Sequence, residues 1–561
     1  MTFASKGNTG AEEPAAPCFT ARGIARCSLA VALSALFSLV ASSSEAASLL
    51  DRADATRLLE QSSFGPTDAL VAHVQAIGVQ GWLAEQFAAT GSRYPTFPAV
   101  PIDATTYCAT SPDAQCLRNN YSLFLLRNAF FQNALANPDQ LRQRVAFALS
   151  QIFVTSGVVV PQVYGMAQYQ QILLDGAFGN FEDLMTKVTL SPVMGDYLNM
   201  VNNDKPAGAV NPNENYAREL MQLFSIGLWE LNADGTQLLD SAGFPIPTYE
   251  QDTVEGFAHV YTGWTYPLPS GAVQHMHNPK NFNGPMVGVP SNHDTGAKEL
   301  LGEVTDSAGK PMNVDLAFAI HNIFTHPNVG PFIGRQLIQK LVTSNPSPAF
   351  VARVAAVFAD NGAGVRGDLK AIVAAILTDP EARGDTQSAA AYGKVREPVL
   401  LVTAIARAAG AASDGVYLAS SAENMGENLF NAPSVFNYYP PNYMPTGLSV
   451  QAPEFALRNA ATTISLYNFG NTFVFGSIPP LATLPGAIGT QPNWTPWQAL
   501  AANPAALIAE LNALFFHGTM PAAMQTTLAT AVGAVPASDT LTRAKTAFYL
   551  VVTSPQYQVE R

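Results

Sequence analysis

The residues whose types could do chemistry gather in the middle third of the chain. Glu219 is the first candidate for a general acid or base, with Arg218 beside it to tune its charge. Asp252 or Asp294 supplies the second carboxylate, and His293 a proton shuttle. Paired carboxylates are the usual equipment for cleaving glycosidic bonds in a polymer such as a polysaccharide, as a hydrolase or a lyase. Glu214, His293 and Asp294 also read as a ligand set for a divalent metal ion, since hard oxygens and an imidazole suit calcium, manganese, iron or zinc. Glu214 and Glu219 lie five residues apart, about 140° around a helix, so they cannot chelate one ion alone. Glu255 and His259, one turn apart, make a weaker metal pair. Trp264, Tyr266, Tyr438 and Tyr439 offer aromatic faces on which sugar rings could stack.

The element that must position Glu219 runs from Asn211 to Gly227. Asn211 is placed to cap a helix, Pro212 suits its first position, and Glu214 completes a capping box. Ala217, Leu220, Met221 and Phe224 form an apolar stripe, and Gly227 is the expected stop. Glu214 with Arg218, and Asn215 with Glu219, are one turn apart on the polar side. The same pattern describes a salt-bridged structural helix. A second helix is expected to open at Thr248-Tyr-Glu-Gln251 with its own capping box. Between the two, Leu228 to Thr236 reads as a strand entering an Asp-Gly turn. The irregular stretch after Trp264 carries His275, His277 and His293.

Elsewhere the period of the apolar residues is helical from Leu50 onward, including Phe181 to Leu190, Gly330 to Val342 and Leu369 to Thr378. The fold class expected is mainly α: a large multi-helix bundle or toroid with one or two small β-hairpins and long irregular loops. A single helical domain over 47–561 follows, with 470–561 as a less tightly packed C-terminal subregion. Arg142 and Arg144 are cations available to an acidic neighbour.

Composition narrows the classes. At 561 residues with 48% apolar and 13% charged residues, the chain is built to bury a large core. A net charge of −13 argues against a nucleic-acid partner. Residues 1–46 read as a cleavable secretory signal: Arg22 and Arg26 precede an apolar run from Ser28 to Val40, too short to span a membrane. No transmembrane segment is expected in the mature chain, which would be periplasmic or extracellular. Of four cysteines, Cys18 and Cys27 leave with the signal, so Cys108 and Cys116 are expected to form a disulfide in an oxidising compartment. There is no Gly-x-Ser-x-Gly elbow, phosphate-binding Gly-rich loop, His-Glu-x-x-His or haem-attachment motif.

An ordered set of short motifs carries a resemblance. Arg57-Leu-Leu, Arg142-Gln-Arg-Val, Pro212-Asn-Glu-Asn-Tyr-Ala-Arg-Glu-Leu, Tyr261-Thr-Gly-Trp, His293-Asp, His326-Pro-Asn, Val342-Thr-Ser-Asn-Pro, Arg396-Glu-Pro and Ser434-Val-Phe-Asn follow one another along nearly the whole mature chain. Together they resemble the bacterial secreted family catalogued as domain of unknown function 1800. The resemblance implies a mainly helical exported protein, commonly encoded beside a sulfatase- or phosphatase-like partner, and it carries no established activity. Two functions therefore stand as expectations: a carboxylate enzyme acting on a polymer, or a non-catalytic exported partner or assembly factor for such a neighbour or for a cell-surface polymer.

Overall fold

The computed structural model describes residues 50–384 and 389–561. The expected signal, and with it Cys18 and Cys27, lies outside the described residues.

Apolar periodicity becomes helix almost everywhere it was read. The helices Gln140–Ser150, Val163–Gly176, Phe181–Thr189, Met312–Thr325, Val329–Leu341, Leu369–Thr378 and Pro398–Ala408 each turn their apolar stripe into one continuous core. Val329–Leu341 packs on Pro348–Ala359, which packs in turn on Leu369–Thr378. The protein is mainly α, and its named strands form small antiparallel pairs. Trp264–Thr265 pairs with Val287–Gly288, Lys298–Leu300 with Val304–Asp306, Lys394–Val395 with Val559–Glu560, and Ala412–Ser413 with Thr490–Gln491. Leu49–Arg561 clusters as one unit. Its C-terminal helices enclose a buried aromatic group of Trp497, Phe515, Phe548 and Tyr557, and Pro504–Phe516 packs on the first helix, Arg52–Ser62. Among the described residues, no helix is long and apolar enough to cross a membrane.

Two helix starts depart from the sequence reading. The helix expected from Asn211 begins at Asn215, with Glu214 at the cap position and no side-chain cap. Asn203 explains the delay: its Oδ1 accepts from the Asn213 N–H at 2.7 Å and its Nδ2 donates to the Asn213 carbonyl at 3.2 Å. That grip holds residues 211–213 off the helix axis. The next helix begins at Gln251 rather than Thr248. Thr248 donates instead to the Gly227 carbonyl at 2.6 Å, closing the segment between the two helices.

That segment is more than the hairpin expected. Residues 228–232, 236–240 and 244–248 form three short extended runs, and each bonds to the other two. Glu230 donates to Ile246, Leu238 donates to Glu230, and Ile246 donates to Leu238 through their backbones. The Asp-Gly turn is present: Asp234 Oδ1 accepts from Thr236 N at 3.0 Å. The arm is pinned to the core by Asn328, which is fully buried. Its Nδ2 donates to the Ile226 and Trp229 carbonyls, and its Oδ1 accepts from Leu231 N. Cys108 and Cys116 are joined in a disulfide, closing a loop with a sequence separation of 8.

Candidate functional site

The residues singled out in the sequence go to different environments. Glu219 is half-buried on the Asn215–Gln222 helix. Burial raises its carboxyl above the ordinary value, against the pull of the Arg218 charge. Its Oε2 and the Tyr249 hydroxyl are buried without a hydrogen-bond partner. Burial and the Glu219 charge push Tyr197 up to about 12, and burial with the same charge brings Tyr249 to about 12 although Arg218 pulls it down. Arg218 pairs with Glu214 at 2.8 Å as the spacing predicts, and also reaches Gln251 at 3.0 Å. Asn215 does not pair with Glu219; it donates to Asn199 Oδ1 at 3.0 Å.

The expected companions of Glu219 have other partners. Asp252 is exposed. His293 is 3% exposed, and both ring nitrogens are engaged: Nδ1 with the Thr262 carbonyl and Nε2 with Asp315, each at 3.0 Å. Lys298 completes that buried group through Asp315 at 2.7 Å. Asp294 is bonded to His259, and burial, which raises its carboxyl, is outweighed by that bond and by Gly296 N–H. The metal set Glu214, His293 and Asp294 is thus not assembled. Among the described residues no three His, Cys, Asp or Glu side chains are grouped to hold an ion. Arg142 stacks on Phe178 and Arg144 is buried elsewhere, so neither tunes Glu219.

The aromatic platform is also corrected. Trp264 and Tyr266 are 7% and 2% exposed, and the Tyr266 hydroxyl donates to Asp196 at 2.6 Å. Tyr439 is buried, and Tyr438 donates to the Asn428 carbonyl. The three tyrosine rings pack inward with each hydroxyl donating to a fixed internal acceptor, which offsets the cost of burying it, while the Trp264 indole N–H is buried without a partner.

Sequence reasoning missed two arrangements. The first is a buried ionic core around Arg396-Glu397-Pro398. Neighbouring side chains of this extended segment reach opposite ways. Arg396 meets Glu60 at 2.5 Å and Glu560 at 3.7 Å, while His517 meets Glu60 at 2.9 Å. Glu397 accepts from the Tyr439 hydroxyl at 2.5 Å and from Gln151 at 3.0 Å. Burial raises the Glu397 carboxyl, but Lys394, Lys340 and Arg144 bring it below its ordinary value. Burial and the Glu397 charge push the neighbouring Glu427 carboxyl well up. Glu397 and Glu427 are both 0% exposed and closed off from a substrate, whereas Arg396 and His517 of the same core line a cavity of about 290 Å³. The signal available in the sequence was a Lys at the end of an apolar helix and an Arg-Glu-Pro opening another.

The second is a groove of about 620 Å³. Its floor is the polar side of Val329–Leu341, with Arg335, Gln336 and Gln339, beside Phe332. The arm supplies one wall through Leu228 and Trp229, and the loop from Phe436 to Gln451 supplies the other. Two motifs build it. Asn328 of His326-Pro-Asn fixes the arm, as above. Asn345 of Val342-Thr-Ser-Asn-Pro fixes the loop, donating to the Gln451 carbonyl and accepting from Gln451 N, each at 2.8 Å. Gln451 in turn accepts from Gln339 at 3.0 Å and from Arg335 at 3.3 Å. Burial lowers the Arg335 guanidinium from its usual value, and no carboxylate offsets this. The rim is apolar: Leu228 is 47% exposed, Trp229 39% and Phe436 47%. Gln222 and Leu223, one turn beyond Glu219, line one end.

Neither the curated proteins nor the solved structures contain a match to the chain. Over residues 57–559 it matches the model of the family described as "Protein of unknown function (DUF1800)", and it belongs to that family.

Proposed function

We propose that the chain is a non-catalytic exported binding protein that takes a segment of another protein in the groove between the arm and the 436–451 loop. The observation that carries this reading is the groove itself: a preformed concavity of ligand-binding size with exposed Leu228, Trp229 and Phe436 on its rim. Two of the ordered motifs hold its walls rather than any reactive group. The Cys108–Cys116 disulfide supports export to an oxidising compartment, the setting in which a phosphatase- or sulfatase-like neighbour would be the partner. Site-specific photo-crosslinking tests the reading. A photoreactive residue at Phe436 gives one dominant protein adduct in the exporting cell, and the same residue at exposed Thr527 gives none. Equal labelling at both positions, or none at either, sinks it.

One observation favours a second reading, a carboxylate enzyme acting on a polymer. Glu219 is a half-buried acid with a raised pKa and an unpartnered oxygen beside Tyr249, as a general acid would be. Polymer screening with Glu219→Gln decides it. Turnover of a polysaccharide that drops about 100-fold in a variant with an unchanged melt would establish the enzyme. No turnover by the wild type would remove it.

A further inference from the structure

We infer that the segment taken by the groove is extended, apolar and acidic at one position, setting a single carboxylate against Arg335; this rests on the binding reading above. The chain holds 42 acidic and 29 basic residues, so a cation without an acid in reach runs against its average surface. Arg335 is such a cation. Its hydrogen-bond contact is an amide oxygen, Gln451 Oε1, and among the described residues no carboxylate makes an ion pair with it. A guanidinium fork matches a carboxylate in two parallel bonds. One cation among apolar walls neutralises one negative charge, and a dianion would leave a desolvated charge behind.

The rest of the groove suits a polypeptide. Gln336 lines it, and its Nε2 is buried without a partner, so turning the amide outward would supply a donor for a main-chain carbonyl. Gln222 and Asn442 add amides that can serve both N–H and C=O groups. The two elements that wall the groove expose further apolar side chains, Phe244 on the arm (67% exposed) and Met444 on the loop (55%). A small amphiphile seated on Arg335 has no use for either, whereas a chain that runs on along a wall covers one of them.

The test uses a displayed library of random peptides selected on the full mature protein. Enriched peptides are then synthesised as Glu/Gln pairs and titrated by fluorescence anisotropy. The expected result is apolar peptides with one fixed Asp or Glu. Their affinity falls at least about tenfold when that residue becomes the amide, and falls equally in Arg335→Gln. The peptide-side swap reads the ion pair on the wild-type protein, so it stands even if the variant is unstable. Peptides that are lost in Phe436→Ser but indifferent to the Glu/Gln swap would overturn the carboxylate and leave the groove reading standing. Peptides indifferent to both Phe436→Ser and Arg335→Gln would overturn both. Stoichiometric binding of laurate that depends on Arg335, with no peptide enriched, would replace the protein segment by a small amphiphile.

Discussion

At the scale of single residues, two neighbouring buried carboxyl groups are driven in opposite directions. Glu397 is held ionised by Lys394, Lys340 and Arg144, and it accepts two hydrogen bonds on Oε2. Glu427 is pushed well up by burial and by the Glu397 charge, so of the two it keeps its proton to the higher pH, and its Oε2 accepts from Val399 N at 2.8 Å. Oε1 of each residue lacks a partner, and a proton on Glu427 gives that side chain a donor toward Glu397. Glu427→Gln puts an amide where that proton sits and keeps the acceptor for Val399. It is expected to change stability by less than about 1 kcal/mol. Glu397→Gln removes a buried charge from among three cations and is expected to cost about 3–5 kcal/mol. Urea denaturation of both variants measures the difference. The reverse order of costs would mean that the proton resides on Glu397.

At the scale of elements, the arm side of the groove depends on one glycine and one asparagine. Gly227 has φ +78°, and a Cβ there would lie 2.8 Å from the Phe332 ring on the groove floor. Gly227→Ala is therefore expected to cost about 1–3 kcal/mol, read from a thermal melt. Asn328→Ala removes the three side-chain bonds by which Asn328 pins the arm and its root. It is expected to open residues 228–248 to chymotrypsin, which cuts after Trp, Phe and Leu, while the rest of the chain resists. Uniform digestion of the whole chain would show that the arm and core unfold together. A third element can be tested by Cys108→Ser. The disulfide closes a short loop, so its loss is expected to cost about 2–3 kcal/mol in denaturant; no change would mean the loop is held by its own contacts. These elements also show what the sequence could disclose. Helices such as Leu369–Thr378 were legible because a long apolar stripe has a single way to bury itself. The starts at Asn211 and Thr248 were not, because distant partners, Asn203 and the Gly227 carbonyl, outbid the local caps. The site was less legible still. Arg335, Gln336 and Gln339 form a modest polar strip on an apolar helix, and only the folded arm and loop turn it into the floor of a groove. Glu219, read as a general acid or base, is half-buried with its carboxyl raised, whereas His293 and Tyr266 were drawn inward by internal partners that no local pattern announces.

At the scale of the whole molecule, the buried acids set the pH dependence of stability. Burial raises the carboxyls of Glu219, Glu230, Glu427, Glu454, Glu510 and Glu560 above their ordinary values. An acid whose folded pKa is raised binds more protons in the folded state, between its unfolded and folded values, than in the unfolded state. Stability therefore grows as pH falls through that window. A net charge of −13 adds to the effect, since protonation relieves self-repulsion. His326 and the lowered carboxyls, among them Glu60, Glu397, Asp204 and Asp294, act the other way, the carboxyls only below their ordinary values. Burial and Arg366 push His326 down to about 4, so stability is lost there as pH falls from about 6.5, the free imidazole value. Burial raises Glu60, but Arg396 and His517 pull it to about 2, so its contribution is present above about 4.3 and is lost below. Six raised carboxyls against one imidazole place the maximum on the acid side of neutrality. Melting temperatures from pH 8 to pH 3 are expected to rise to a maximum near pH 5 and to fall steeply below about pH 4, where the unfolded chain protonates Glu60 while the folded ion pair with Arg396 still excludes that proton. His326→Gln should sharpen the rise between pH 6.5 and 5 by removing the opposing group. A melting temperature that falls steadily from pH 8 would mean that the buried acids are ionised in the folded chain, and that the ionic core around Arg396-Glu397 is hydrated rather than closed.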